Sequence, residues 1–127
     1  MDAFLNIAAR ILMSQIFIIS GFGKITGYAG TQQYMASHGL PGALLPLVIL
    51  TEFGGGLALL FGFKTRWVAL ALAAFSLLTG VLVHFQPGDQ MQMINFMKNL
   101  AMAGGLLMFV RYGAGAPSID ARSGGRP

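Results

Sequence analysis

Cysteine is absent from the 127 residues, which excludes disulfides, thiolate metal sites and thiol redox chemistry carried by the chain itself. Charge is almost as scarce. Asp, Glu, Lys and Arg make up 9% of the residues, against roughly a quarter in an average soluble domain. Eight basic and four acidic side chains are too few to coat a small soluble domain, but enough to mark the ends of membrane spans. The basic residues behind the net charge of +4 are scattered, several of them inside apolar runs. They read as topology signals, not as a nucleic-acid footprint. The two histidines, His38 and His84, have no carboxylate at ligand spacing, so no metal site is expected.

Hydrophobicity is what the chain has in quantity, at 55% of its residues. Four apolar segments cover 4–24, 40–62, 67–85 and 91–111, each close to the ~20 residues a helix needs to cross a bilayer. The expected fold is all-α, an integral membrane four-helix bundle. The fourth span is the weakest, because its first turns hold Asn95, Lys98 and Asn99; the alternative is a short helix entering from a wet vestibule. The first segment differs from a cleaved leader: Asp2 precedes it, Arg10 comes late, and no A-x-A-like site follows, so it is read as a retained helix.

The connections are short. Lys64-Thr65-Arg66 makes spans two and three antiparallel neighbours, and Pro87-Gly88-Asp89 turns the chain into span four. The loop between spans one and two carries Tyr28, Tyr34 and His38 and is expected at the membrane interface, as a short amphipathic helix. Residues 118–127 are expected to form a flexible cytoplasmic tail. With four spans, Lys64, Arg66, Arg111, Arg122 and Arg126 share one side and Lys24 and Lys98 the other. That bias predicts both termini in the cytoplasm, N-in/C-in.

Ionisable groups within spans are costly and face the bundle interior. Arg10, Ser14, Phe17, Gly21 and Lys24 form one helical stripe; Ser76, Gly80 and His84 form another, as do Asn95, Lys98, Asn99 and Met102. Glu52 stands alone in span two, before Gly54-Gly55-Gly56. Those glycines read as a close helix contact, since no Lys-Ser/Thr follows as a phosphate loop requires. Counting from the helix ends puts Arg10 ~9 Å and Glu52 ~14 Å inside the membrane. A buried Arg10–Glu52 ion pair is therefore expected, with Gln15 as a further hydrogen-bonding group. Lys24, His84, Asn95 and Lys98 are expected near the opposite face, as a vestibule for an anion or for the carbonyl oxygens of a quinone.

The same residues, in this order, resemble the DoxX family of small bacterial inner-membrane proteins. The resemblance rests on Arg10, Gly21-Phe22-Gly23-Lys24, His38-Gly39-Leu40-Pro41 and Glu52-Phe53-Gly54-Gly55-Gly56. It continues through Phe61-Gly62-Phe63-Lys64-Thr65-Arg66, Asn95, Lys98-Asn99 and Pro117-Ser118-Ile119-Asp120. It implies a multi-pass protein of the inner (plasma) membrane, in a family named for a thiosulfate:quinone oxidoreductase. Without cysteine, no persulfide can form on this chain.

The leading expectation is a quinone-like ligand-binding subunit of a membrane redox system, acting with a redox partner or as a homo-oligomer, with no covalent cofactor. The ligand candidates are Arg10, Lys24, Glu52, His84, Asn95, Lys98 and Asn99. The alternatives are a structural or anchoring subunit and, third, a small-solute transporter. No catalytic motif is visible, so whether the chain is itself an enzyme is left open.

Overall fold

The computed structural model describes residues 2–122; Arg126 and the end of the expected tail lie outside the described residues. Four helices are long and apolar enough to span a membrane: α1 (Asp2–Thr26), α3 (Gly42–Phe61), α4 (Thr65–His84) and α5 (Gln90–Tyr112). Two short helices, α2 (Tyr28–Ser37) and α6 (Ile119–Arg122), complete the architecture. The fourth span is one continuous helix of 23 residues, and the loop after α1 is helical as expected. α1 packs along α3 and α4 along α5, while the α3–α4 contact joins the two pairs.

Burial on α1 falls on Arg10, Ser14, Phe17 and Gly21, the stripe expected from the spacing. Phe17 joins Leu59, Ala69, Leu72, Ala73, Ala103 and Leu106 in the apolar core. Many larger apolar side chains face outward, among them Phe4, Leu12, Ile19, Leu47, Leu50, Trp67 and Leu78. Water would penalise such a surface, whereas lipid solvates it.

Small residues set how closely the helices approach. A Cβ on Gly21 would lie 2.8 Å from the Phe53 backbone nitrogen, and one on Gly56 would lie 2.8 Å from Ile18 Cγ1. Gly55, next in sequence, faces Leu72 of α4 instead. Adjacent glycines thus admit two neighbouring helices, as expected for Gly54-Gly55-Gly56.

The helix ends follow from local chemistry. α3 stops at Gly62, with φ at +71°, where Phe63 N donates to Ala58 O and Gly62 N to Leu59 O. This double bond pattern is the Schellman stop, and it needs the left-handed conformation that glycine adopts without strain. α5 starts where the Asp89 carboxylate accepts from Gln92 N at 3.2 Å. Two stretches depart from α geometry: Leu50–Gly54 in α3 and Gly80–His84 at the end of α4 are π-helical. The wider turns each hold one ionisable residue, Glu52 and His84.

Gly21→Ala is expected to force α1 away from α3 and lower stability by about 1–3 kcal/mol. Gly23→Ala and Gly104→Ala, where a Cβ meets nothing within 4 Å, should leave stability unchanged or raised. Thermal unfolding in a fixed detergent checks the contrast; equal effects at all three positions would contradict it.

Candidate functional site

The intramembrane acid finds a different partner from the one expected. Glu52 is 6% exposed, and its Oε1 lies 2.7 Å from Nζ of Lys24. Lys24 also donates to Ser20 Oγ at 2.7 Å, four residues back on the same face of α1. The expected Arg10–Glu52 pair does not form, and Gln15 is exposed, off the buried stripe. The observed helix register accommodates the Lys24 pairing and not the Arg10 one. Gly21 sits against Phe53 and Gly62 sits beside Arg10, so Glu52 lies level with the last turns of α1. Arg10 is ~21 Å farther along that helix than Lys24. Depth counted from helix ends assumed that α1 and α3 finish together, whereas α1 overhangs α3 by about two turns.

The C-terminal segment fills the space beside that overhang. Arg10 donates through Nη2 to Pro117 O at 2.6 Å and through Nη1 to Ala114 O and Gly115 O at 3.4 Å. Asn6 donates to Ala116 O at 3.0 Å. The Asp120 carboxylate accepts from the amides of Lys64 at 2.8 Å and Thr65 at 2.9 Å, which caps the start of α4. The expected tail is therefore anchored as far as Arg122. Arg10 acts here as a clasp between α1 and the C-terminal segment, at the end of the bundle remote from Glu52.

A cavity of about 670 Å³ occupies the other half, lined by residues of α1 to α5. Six of the seven candidates line it: Lys24, Glu52, His84, Asn95, Lys98 and Asn99; Arg10 is the one left out. Their roles differ. Asn99 Nδ2 donates to Ser76 O at 3.0 Å and to Thr79 Oγ1 at 3.1 Å, tying α5 to α4. His84 Nδ1 lies 2.7 Å from Gln92 Oε1, which also accepts from Asn95 Nδ2 at 3.4 Å. Lys98 is exposed and has no hydrogen-bond or ion-pair partner among the described residues. Ser76 Oγ is buried in the same wall and likewise has none.

Three residues at this site escaped the sequence reading. Ser20 was within reach of it, being one helical turn before Lys24. Gln92 was hidden because its partner lies across the α4–α5 turn, and Ser76 was placed on the inward stripe without a role. Elements of α2, including Thr31 and Tyr34, also line the cavity, which no spacing rule for separate spans would show.

Four membrane-length helices, with a cavity in one half and a polar clasp at the other end, define a small multi-pass membrane protein. A family model described as DoxX matches residues 5–85, and the chain belongs to the DoxX family. It is 58% identical over 114 residues to the inner membrane protein YqjF of Escherichia coli K12, covering 90% of this chain and 88% of that one. Inner membrane protein YphA of the same organism is 40% identical over 125 residues, covering 93% and 89%. A 64-residue stretch, about half of each chain, is 34% identical to a Bacillus subtilis protein named "Putative oxidoreductase CatD". No solved structure matches the chain significantly. Family, relatives and four spans together make this an inner-membrane protein.

The Asp120 contact of the clasp lies outside the spans, and its hydrogen bonds are expected to depend on pH. Burial alone would raise the Asp120 carboxyl, but hydrogen bonds from Thr65 and Lys64, with the charge of Lys64, outweigh it and hold the group below its ordinary value. A depressed folded value means the stabilisation is complete above the ordinary aspartate range. It is lost as pH falls through the depressed one. Protection of the Lys64 and Thr65 amides against hydrogen exchange, corrected for intrinsic rates, should therefore fall with acidification. In Asp120→Asn it should be lower at neutral pH and lack that acid step. Identical profiles for the two proteins would contradict the assignment.

Proposed function

We propose that the cavity binds a small amphipathic ligand of the quinone type, and that the chain is a ligand-binding subunit of a membrane redox system. One observation carries this reading: the buried carboxylate of Glu52 borders an open cavity, where a purely structural ion pair would be enclosed by packed side chains. A volume of about 670 Å³ falls within the ~300–1,000 Å³ typical of small-molecule sites. The orphaned Ser76 hydroxyl and the unpaired Lys98 are suited to ring oxygens, and the apolar lining of Ile16, Phe17, Val48 and Phe75 is suited to a ring face. The oxidoreductase name carried by the partial relative supports the redox assignment.

In this reading Lys98 and His84 hold the ligand's oxygens. Glu52, in contact with Lys24 at the cavity wall, is the group able to exchange a proton. Electrons are exchanged with a partner protein in this reading, and cysteine thiols of this chain, which has none, take no part. The end bearing Lys64, Arg66, Arg111 and Arg122 faces the cytoplasm by the positive-inside rule, which puts the cavity in the opposite half of the bilayer.

Purified protein in lipid nanodiscs should bind a short-chain benzoquinone saturably. Lys98→Ala should weaken that binding about five- to tenfold, while Lys64→Gln at the far end leaves it unchanged. Absent binding of both the benzoquinone and its hydroquinone, or equal affinity in wild type and Lys98→Ala, would sink the proposal.

A further inference from the structure

The hydrogen-bond polarity of the cavity wall goes one step beyond this reading and rests on it. Gln92 Oε1 is a carbonyl oxygen and can only accept, so the His84 Nδ1 at 2.7 Å carries the hydrogen. In the neutral imidazole that leaves Nε2 as a lone-pair acceptor. The same oxygen receives one hydrogen of Asn95 Nδ2 at 3.4 Å, which leaves Asn95 its Oδ1 to accept and a second Nδ2 hydrogen to donate. Asn99 has its Nδ2 engaged by Ser76 O and Thr79 Oγ1, and its Oδ1 is likewise left to accept. Three cavity-lining residues on α4 and α5 thus offer acceptors, and two of the three owe that polarity to Gln92.

A ligand that meets this wall has to bring donors. An oxidised quinone has only acceptor oxygens, so a carbonyl set against His84 Nε2 or the amide oxygens would leave both sides unpaired and mutually repelled. An aromatic hydroxyl donates to the same atoms. Ser76, as a hydroxyl, suits either form. Lys98, donor-only, serves whichever oxygen lies opposite. The acceptor wall is therefore the feature that discriminates.

We infer that the cavity selects the hydroxyl-bearing, reduced form of its ligand, a hydroquinone over the corresponding quinone, with His84 Nε2 as a receiving atom and Gln92 as the residue that positions it. Gln92 need not touch the ligand; it fixes which ring nitrogen of His84 carries the hydrogen.

The test uses the full chain in nanodiscs and one matched pair of probes, a decyl-substituted benzoquinone and its hydroquinone, the latter under anaerobic conditions. The hydroquinone should bind about tenfold more tightly than the quinone. In Gln92→Leu that preference should shrink to about threefold or less, and the 15N resonances of His84 should lose the Nδ1–H pattern seen in wild type. A purely structural role for Gln92 would weaken both probes alike and leave the ratio unchanged, which would overturn its assignment. Equal affinity, or tighter quinone, in wild type would overturn the selectivity while leaving the proposed ligand class standing. Failure of both probes to bind would remove the ligand class itself, and the selectivity with it.

Discussion

A carboxylate within a hydrocarbon layer must be met by a cation or hydrated, since removal of either partner leaves a charge that costs several kcal/mol. Glu52 meets that requirement through Lys24 on the neighbouring helix, and much else follows from the match. It sets α1 against α3 in one register, with Gly21 at the closest approach to Phe53 and Gly56 against Ile18. The same register carries the start of α1 past the end of α3, so Arg10 reaches backbone carbonyls of the C-terminal segment and not an acid.

The polar residues accordingly divide between two ends. At one end Arg10, Asn6 and Asp120 close the bundle through hydrogen bonds to main-chain groups, while Arg10 Nε and Thr65 Oγ1 are packed there without a partner among the described residues. At the other end Lys98 and Ser76 have no hydrogen-bond partner among the described residues and line a cavity, and the His84–Gln92–Asn95 chain is ordered but open on its far side. What separates the two ends is the cavity, because polar groups without partners that border a concave site are suited to a ligand. The π-helical turns at Leu50–Gly54 and Gly80–His84 belong to the second end, and such turns in membrane helices are tolerated where they line a cavity.

Much of this was legible in the residues. Hydropathy and short turns specified four spans. The Arg10–Ser14–Phe17–Gly21 spacing specified the buried face of α1, since period and burial are the same fact in a helix. The grouping of Lys24, His84, Asn95 and Lys98 near one end was legible because depth along a helix scales with residue count. The Arg10–Glu52 pairing was not, because depth counts assume aligned helix ends, and a two-turn overhang is larger than the reach of any side chain. Nor was the clasp. Pro117-Ser118-Ile119-Asp120 looks like a polar tail until Asp120 is seen against the bare amides of Lys64 and Thr65, a contact across more than fifty residues.

The account turns on the Lys24–Glu52 pair as the interaction that sets the register of α1 against α3. A charge-reversal cycle measures it directly, using unfolding free energies in one detergent for Lys24→Glu, Glu52→Lys and the double reversal. Each single change should be strongly destabilising, and the double should recover part of the loss, with a coupling of about 1 kcal/mol or more. Additive losses for Lys24 with Glu52, alongside a comparable coupling between Arg10 and Glu52, would show that the register described here is wrong.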